Sequence, residues 1–368
     1  MPRSRALLPL LLTITLPLVA APAAQAADRV SITELRGLTD RSETRVTALN
    51  DVDQIVGSSG GSPVLWSRGQ VVALPGSTAT AINRRGQVLL LDNRIGNGDY
   101  VQHPLVWHNG TTTGIAPEGS GVVTASAINA SGSVPMTYSP SPAVWHPEQA
   151  ALWLDGAVRP LSSGNSGSHL YSSVINDRGL VAGAFVPMMG GTSYAFRCQG
   201  TTCSRLPDPE GTAGSYSVAA ANESGVVVGS RANSPVRWQG DTATVLPGGE
   251  GRVAGNQRAI NERGDVVGRT KDGAGVHRAT VWRAGRQVVI PVPGPAEAVA
   301  VNDRSDVVGW SKSTGETRAF LWRNGKVVDL GTLGGAYSSP TSLNDNGTIV
   351  GLATTADGAY RAVKWTVR

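Results

Sequence analysis

The sequence is poor in cysteine and in charge, and beyond its first 26 residues it has no long apolar segment. Of 368 residues, two are cysteine and 16% are charged. No later stretch supplies the roughly 18 uncharged apolar residues of a spanning helix, so we expect no membrane span. The net charge of +5 is too small and too scattered to indicate a nucleic-acid-binding protein.

Residues 1–26 have the features of an export signal. Arg3 and Arg5 precede an apolar stretch, and small residues at 24–26 form a cleavage site. The sequence therefore predicts a secreted, extracellular protein with one mature domain over residues 27–368, which we expect to be a monomer.

A motif containing asparagine recurs along the whole mature chain. It reads "AINERGDVVG" at 259–268 and "SLNDNGTIVG" at 342–351. Successive motif asparagines are 33 to 47 residues apart, a spacing that indicates a repeat architecture. They are Asn50, Asn83, Asn129, Asn176, Asn222, Asn261, Asn302 and Asn344.

Each repeat also contains an apolar segment that ends in tryptophan, such as "AFLW" at Trp322, followed by a glycine-containing turn and another apolar run. The fourth repeat has Cys198 in place of the tryptophan. The apolar runs are too short for helical periodicity, whereas four short strands per repeat are typical of a propeller blade. The sequence predicts an all-β fold, a β-propeller of eight four-stranded blades with the tryptophans packed between blades.

The two ends of the chain favour a closed ring. The last repeat stops at "AVKWTVR" without a fourth strand, whereas residues 29–35 form a strand-like run before the first repeat. We expect that run to pair in the last blade, which would leave no exposed sheet edge. The alternative is seven blades with one degenerate unit, because the first repeat spacing is short.

The "N-x-x-G" core of the motif predicts a structural turn between the first two strands of each blade. Asparagine at the first position accepts backbone hydrogen bonds, and glycine at the fourth tolerates a positive φ. Asp53 and Ser305 replace that glycine in two repeats. Calcium needs six to eight oxygen ligands, and each turn offers at most two acids, so we expect no metal and no cofactor.

The segments "INERGDVVG" and "RAFLWRNGKVVDLGTLGG" resemble the HAF-repeat family of bacterial extracellular proteins. The resemblance spans residues 30–368 and is closest over 318–351, although "AINRRGQVLL" and "AINASGSVPM" lack the closing glycine. It implies secretion and a repeat structure. The family has no established catalytic activity, so the resemblance supplies no site residues.

Cys198 and Cys203 flank a predicted hairpin turn in the fourth repeat. In an exported protein, two cysteines placed to face each other favour a disulfide. We expect this bond to staple a blade that lacks its tryptophan.

One face of the predicted propeller carries the connections between second and third strands, such as residues 90–103, and the linkers between blades, such as residues 246–258. These connections vary in length, and variable loops on a rigid scaffold commonly carry recognition. We call this side of the propeller the variable face and predict a binding site there, around the central opening. The candidate binding residues are Tyr100, His103, Trp145, His169, Tyr171, Tyr216, Arg258, Trp310 and Tyr337.

Two classes of function fit this picture. The first is a non-catalytic binding or interaction module for polysaccharide, cell-wall material or a protein partner. The alternative is an extracellular glycan-degrading enzyme, which would use two acids roughly 5 to 10 Å apart. The acids available for that role are Asp99, Asp208, Glu210, Glu250 and Glu297.

Overall fold

The structure, a computed structural model, describes residues 29–40, 42–96, 99–117, 119–121, 123–140, 148–162, 168–187, 193–210 and 214–368. The export signal predicted for residues 1–26 lies outside this part. Every regular element in the described ranges is a β-strand. Within them, no helix has the length and apolar character needed to cross a bilayer.

The strands form consecutive antiparallel sets of four, which we call units 1 to 8. The first four units contain the following strands. Unit 1 has β2 (Thr44–Leu49), β3 (Ile55–Ser59), β4 (Ser62–Ser67) and β5 (Gln70–Ala73); unit 2 has β6 (Thr78–Ile82), β7 (Val88–Gly96), β8 (Asp99–His108) and β9 (Thr111–Gly114). Unit 3 has β10 (Val123–Ala125), β11 (Val134–Tyr138), β12 (Gln149–Leu154) and β13 (Ala157–Pro160); unit 4 has β14 (Ser168–Ile175), β15 (Leu180–Pro187), β16 (Tyr194–Gln199) and β17 (Thr202–Arg205).

The last four units follow the same order, and unit 8 also takes in the N-terminal strand. Unit 5 has β18 (Tyr216–Ala221), β19 (Val227–Arg231), β20 (Ser234–Gln239) and β21 (Thr242–Val245); unit 6 has β22 (Gly251–Val253), β23 (Val266–Lys271), β24 (His277–Arg283) and β25 (Arg286–Val289). Unit 7 has β26 (Ala296–Val301), β27 (Val307–Ser313), β28 (Glu316–Arg323) and β29 (Lys326–Asp329); unit 8 has β30 (Gly334–Leu343), β31 (Ile349–Thr355), β32 (Tyr360–Val367) and β1 (Val30–Glu34).

Repeated four-stranded antiparallel sheets of this kind make the chain a β-propeller. Units 1 to 6 are separate sheets, while units 7 and 8 are joined by one parallel bridge between Thr317 and Tyr337. The N-terminal strand β1 pairs antiparallel with the C-terminal strand β32, with Val30 opposite Val367. Unit 8 therefore combines strands from both ends of the chain.

The motif asparagines are buried side chains that organise the turn between the first two strands of each unit. In unit 7, Asn302 Oδ1 accepts hydrogen bonds from the backbone N–H of Arg304 and of Asp306. The residue three positions after each asparagine has a positive φ, including 61° at Asp53 and 65° at Ser305. The turn geometry is therefore kept where glycine is replaced.

The same asparagines also connect neighbouring units. Each side-chain Nδ2 donates to the backbone carbonyl of the next motif asparagine, so that Asn50 donates to Asn83 at 3.0 Å. The series runs through all eight motifs, and Asn344 donates back to the carbonyl of Asn50 at 3.1 Å. The motif thus serves both the turn and the contact between units.

Acids that follow the asparagines form a second series of contacts between units. Asp177 accepts a hydrogen bond from the backbone N–H of Ala130, and Glu223 accepts one from the backbone N–H of Asp177. The pattern continues from unit 5 to unit 8 and from unit 8 to Asp51. The carboxylates in "NDRG" and "NERG" therefore bind backbone groups of the preceding turn.

The motif tryptophans pack between units, where five of them are buried. The indole N–H of Trp66 donates to the carbonyl of Arg36, which follows the last strand of unit 8. Trp238 and Trp282 make the same contact with Pro207 and Pro247 of the preceding units. Each of these side chains thus fills the space between two sheets and hydrogen-bonds across it.

Unit 4, which lacks the tryptophan, contains a disulfide between Cys198 and Cys203. These residues are directly opposite in the β16–β17 hairpin. The hairpin contacts the preceding unit through its backbone, because Cys203 N–H donates to Ser162 O and Ser162 N–H donates to Thr201 O. Backbone hydrogen bonds of the cross-linked hairpin therefore replace the indole contact.

In one connection the structure differs from the sequence-based expectation. Residues 90–103 were expected to form a variable loop, but β7 and β8 extend through this region as a long hairpin, with Ile95 opposite Tyr100. Strand pairing there satisfies backbone groups that a loop would leave to water.

We expect the substitution Asn302→Ala to lower the free energy of unfolding by about 2–4 kcal/mol, because it leaves several buried backbone groups without partners. Urea denaturation would measure the loss. The control is Asn233→Ala at an exposed position, which should change stability by less than about 0.5 kcal/mol. Equal effects of the two substitutions would contradict the role of the asparagine series.

Replacing Cys198 and Cys203 together by alanine should lower the free energy of unfolding by roughly 2 kcal/mol, since the closed loop is short. Hydrogen exchange should increase first in β16, β17 and the segment around Ser162. The wild-type protein in reducing buffer should behave in the same way. Uniform loss of protection over all units would argue against a local role.

Candidate functional site

Residues of the first strands and asparagine turns of units 1 to 8 line one cavity of about 850 Å³, which we call the channel. Small hydroxyl side chains are prominent in its lining, which also includes backbone of the asparagine turns. The hydroxyl residues are Thr47, Thr80, Ser126, Ser173, Ser217, Thr341 and Ser342. Apolar residues such as Leu49, Ile82 and Val253 line it as well, so the cavity offers a ligand both hydrogen-bonding groups and apolar contacts.

A bulge in the first strand places many of these residues. In units 1, 2, 4, 5, 7 and 8 the strand register shifts at the residue three positions before the motif asparagine, which is left unpaired. Unpaired bulge residues such as Thr47, Thr80 and Thr341 line the cavity. These hydroxyl groups were not predicted from the sequence, although threonine or serine recurs three residues before the motif asparagine.

The bulge also explains the glycine that closes motifs such as "DVVG" and "TIVG". A Cβ on Gly309 would lie 2.3 Å from the carbonyl oxygen of Glu297, and one on Gly351 would lie 2.2 Å from that of Ser339. These distances are well below van der Waals contact. Glycine is required here because the bulged first strand approaches the second strand closely.

Unit 6 differs from the others in its first strand. Val253 is opposite Gly268, and Ala259 accepts a hydrogen bond from the N–H of Val267. Five residues therefore stand where other units have one bulged residue. We call this segment, Ala254–Arg258, the channel loop.

The channel loop crosses the channel beside the asparagine turns. Arg258 NH2 lies 2.8 Å from Asp51 Oδ1, and Arg258 NH1 lies 3.1 Å from Asp345 Oδ2. Gln257 Nε2 donates to the carbonyl of Ser126 in unit 3 at 3.3 Å. The loop thus connects unit 6 with units 1, 3 and 8 and obstructs this end of the channel.

Arg258 remains charged in this position. Burial by itself would lower the pKa of its guanidinium, but Asp51 and Asp345 outweigh burial and raise the pKa above its ordinary value. Sequence analysis predicted Arg258 on the variable face, within a linker between blades. It lies instead in the channel loop, because the first strand of unit 6 already begins at Gly251 and ends at Val253, before this residue.

Charged side chains line the cavity toward the variable face. Arg252 of unit 6 and Glu297 of unit 7 hold equivalent positions, opposite Arg269 and Trp310 respectively. Arg269 NH1 contacts Glu297 Oε2 at 3.0 Å. This end of the cavity therefore combines the hydroxyl lining with basic and acidic groups.

Several candidate binding residues cannot be assigned a contact. Tyr100 and His169 belong to β8 and β14, but their side chains lie outside the described residues, as does all of Trp145. His103 is inside β8, opposite Asp92, rather than in a loop.

Other candidates are fully described and lie on different units. Tyr171 is 41% exposed and hydrogen-bonds Glu148. Trp310 is half-buried in β27. Tyr337 packs edge-to-face on Tyr360, with ring centroids 5.4 Å apart. The structure does not gather these side chains at the cavity, and of the described candidates only Arg258 lines it.

Tyr216 is buried rather than exposed. Its hydroxyl donates to Asp208 Oδ1 at 2.6 Å, and the Arg231 guanidinium lies 4.8 Å from its ring centroid. Burial, followed by the hydrogen bond to Asp208, raises the pKa of Tyr216 above its ordinary value. Its position directly before Ser217, which lines the cavity, gave no sign of burial.

Three of the five acids of the enzymatic alternative are in ion pairs. Asp208 pairs with Arg205, Glu250 with Lys271, and Glu297 with Arg269. Glu210 is exposed, and the side chain of Asp99 lies outside the described part. Among the described side chains, no group of three or more His, Cys, Asp or Glu could hold a metal ion.

Neither a protein-family model nor a curated protein matches this chain. Several solved structures match its fold. A prolyl endopeptidase aligns with a TM-score of 0.55 and 13% identity, covering 88% of this chain and 54% of its own. Dipeptidyl peptidase 4 of Porphyromonas gingivalis gives 0.52 and 10%, covering 88% and 64%.

The β-propeller domain of the Trilobed protease from Pyrococcus furiosus aligns with a TM-score of 0.50 and 7% identity, covering 89% of this chain and 94% of its own. Identities this low bear on the fold alone. The chain spans little more than half of the prolyl endopeptidase. These similarities support a β-propeller and carry no activity to this chain.

Replacing Arg258 by glutamine should lower the free energy of unfolding by about 1–2 kcal/mol, because it leaves Asp51 and Asp345 facing each other without their shared cation. Urea denaturation would detect this change. Arg263→Gln, which removes an equal charge from an exposed position on the next turn, should have little effect. If both variants lost the same stability, the bridge across the channel would have no special role.

Proposed function

We propose that this chain is a secreted, non-catalytic binding module that holds part of a polysaccharide in its central channel. The observation that carries the proposal is the cavity of about 850 Å³ with its lining of hydroxyl, amide and charged groups. Sugars present many hydroxyl groups, which such a lining can satisfy as both donor and acceptor. The cavity volume suits a few sugar rings better than a folded protein partner.

The proposal includes an eight-bladed ring closed by the N-terminal strand. The pairing of β1 with β32 and the hydrogen bond from Asn344 to the carbonyl of Asn50 support it. A ring closed in this way would hold the channel walls at fixed separations, as a preorganised binding site requires.

Sequence features support the cellular setting of the proposal. The apolar N-terminal segment, the disulfide and the resemblance to HAF repeats all agree with an extracellular bacterial protein. Export would place the channel in contact with cell-wall or environmental glycans. We therefore propose an extracellular monomer whose ligand enters the channel from the variable face, since the channel loop obstructs the opposite end.

The ion pairs of the described acids favour binding over glycan cleavage. A glycosidase needs one carboxyl group that remains protonated to act as the acid. Glu250 does not meet this requirement. Its hydrogen bond and ion pair with Lys271 lower the pKa of its carboxyl group and so favour the deprotonated form. The carboxylate of Glu297 forms an ion pair with the guanidinium of Arg269.

The test is binding of the mature protein to an array of bacterial, fungal and plant polysaccharides, with reducing ends assayed in the same samples. We expect retention on a subset without new reducing ends. Ser217→Trp, which fills the cavity from an exposed lining position, should weaken binding at least tenfold. Thr242→Trp, on the outer strand of the same unit, should leave binding unchanged.

Each contrary outcome has a definite meaning. New reducing ends would establish the enzyme alternative instead. If both tryptophan variants are still retained on the polysaccharide, the binding site lies outside the channel. Absence of retention on every glycan would reject polysaccharide binding.

A further inference from the structure

Four basic side chains lie on one face of unit 6, near the variable end of the channel. Arg252 on β22 is opposite Arg269 on β23, and Lys271 on β23 is opposite His277 on β24. Residues paired across neighbouring strands share a face of the sheet, as do alternate residues along one strand. The four groups therefore form one basic cluster.

Acidic groups neutralise only part of this cluster. Lys271 forms an ion pair with Glu250, and Arg269 NH1 contacts Glu297 Oε2 at 3.0 Å. The guanidinium of Arg252 has no ion pair or hydrogen bond with any described residue, and Arg252 lines the cavity. Among the described residues, Arg252 is thus an exposed cation of the cavity without an acidic partner.

Two further nitrogen atoms of the cluster have unused hydrogen-bonding capacity. The Nε of Arg269 and the Nδ1 of His277 are buried and find no hydrogen-bond partner within the described residues. Buried polar groups normally have partners, because an unsatisfied one costs free energy. The Nε–H of Arg269 is left over directly across the strands from Arg252 and favours an acceptor supplied by a ligand.

The electrostatic environment of His277 agrees with a local excess of positive charge. Burial is the main cause that lowers the pKa of its imidazole, and the neighbouring Arg269 and Lys271 lower it further. Arg252 acts in the same direction, while Glu297 opposes it. The acids close to this cluster thus fail to cancel its cations.

We propose that the variable end of the channel binds an anionic group of the ligand, a carboxylate or a phosphate, with Arg252 as its main contact. This inference rests on the proposed function and narrows it to an acidic polysaccharide, whose charge comes from uronate or phosphodiester groups. The planar guanidinium of arginine can bind either oxyanion through two parallel hydrogen bonds. The hydroxyl lining beyond Arg252 would contact the neighbouring sugar hydroxyls.

Glu297 has a specific role in this arrangement. Its carboxylate forms an ion pair with Arg269, and Glu297 lines the same cavity as Arg252. A bound anion would meet the negative charge of Glu297 while it contacts Arg252. Neutralising Glu297 should therefore strengthen anion binding, whereas neutralising Arg252 should weaken it.

The experiment compares polygalacturonate, its fully methyl-esterified form, a teichoic-acid-type polyphosphodiester and a neutral glucan by isothermal titration calorimetry. We expect the wild-type protein to prefer an acidic polymer at least tenfold over the esterified and neutral ones. Arg252→Gln should remove this preference, and Glu297→Gln should increase affinity for the acidic polymer several-fold. Arg286→Gln, which removes a charge from the exposed outer strand of unit 6, should leave both unchanged.

The opposite signs separate a binding role from damage to the fold, because a general loss of structure would weaken binding in both site variants. Equal binding of acidic and neutral polymers would overturn this inference and leave the proposed function intact. Titration with sodium galacturonate and with inorganic phosphate covers the case in which no polymer binds. If either anion binds the wild-type protein and Arg252→Gln abolishes that binding, the result supports the anion site alone. If neither anion binds, the anion site is rejected.

Discussion

The hydrogen bond from each motif asparagine to the carbonyl of the next is the interaction on which the rest of the structure depends. One buried side chain per unit fixes the turn through its oxygen and binds the neighbouring unit through its nitrogen. Buried amides that lose such partners cost substantial free energy. The repeats therefore have to assemble side by side, and the channel lined by their first strands follows from that assembly.

Function in this design depends on departures from the repeat. Several units present a single bulged residue to the channel, and this residue is threonine or serine in units 1, 2, 4 and 8. Unit 6 inserts the channel loop, and its first strand contributes Arg252. Unit 6 thus makes the two ends of the channel different and adds Arg252 and Arg258 to its charged lining.

The irregularities are stabilised by local contacts that differ from one unit to another. Unit 4 replaces the tryptophan contact with a disulfide-linked hairpin bound to Ser162. Arg258 in unit 6 is held by carboxylates of units 1 and 8, which also accept backbone hydrogen bonds from their neighbours. Each departure is therefore connected to the asparagine turns or to an adjacent sheet.

The sequence by itself determined the repeats, the four strands per unit, the asparagine turns and the facing positions of Cys198 and Cys203, because these depend on local spacing and turn chemistry. It could not determine where Arg258 and Tyr216 lie. Arg258 meets Asp51 and Asp345 at separations of 207 and 87 residues, and Tyr216 of unit 5 is buried where its hydroxyl donates to Asp208, which follows the last strand of unit 4. Only the tertiary structure decides such contacts, because they depend on how units distant in sequence pack around a common channel.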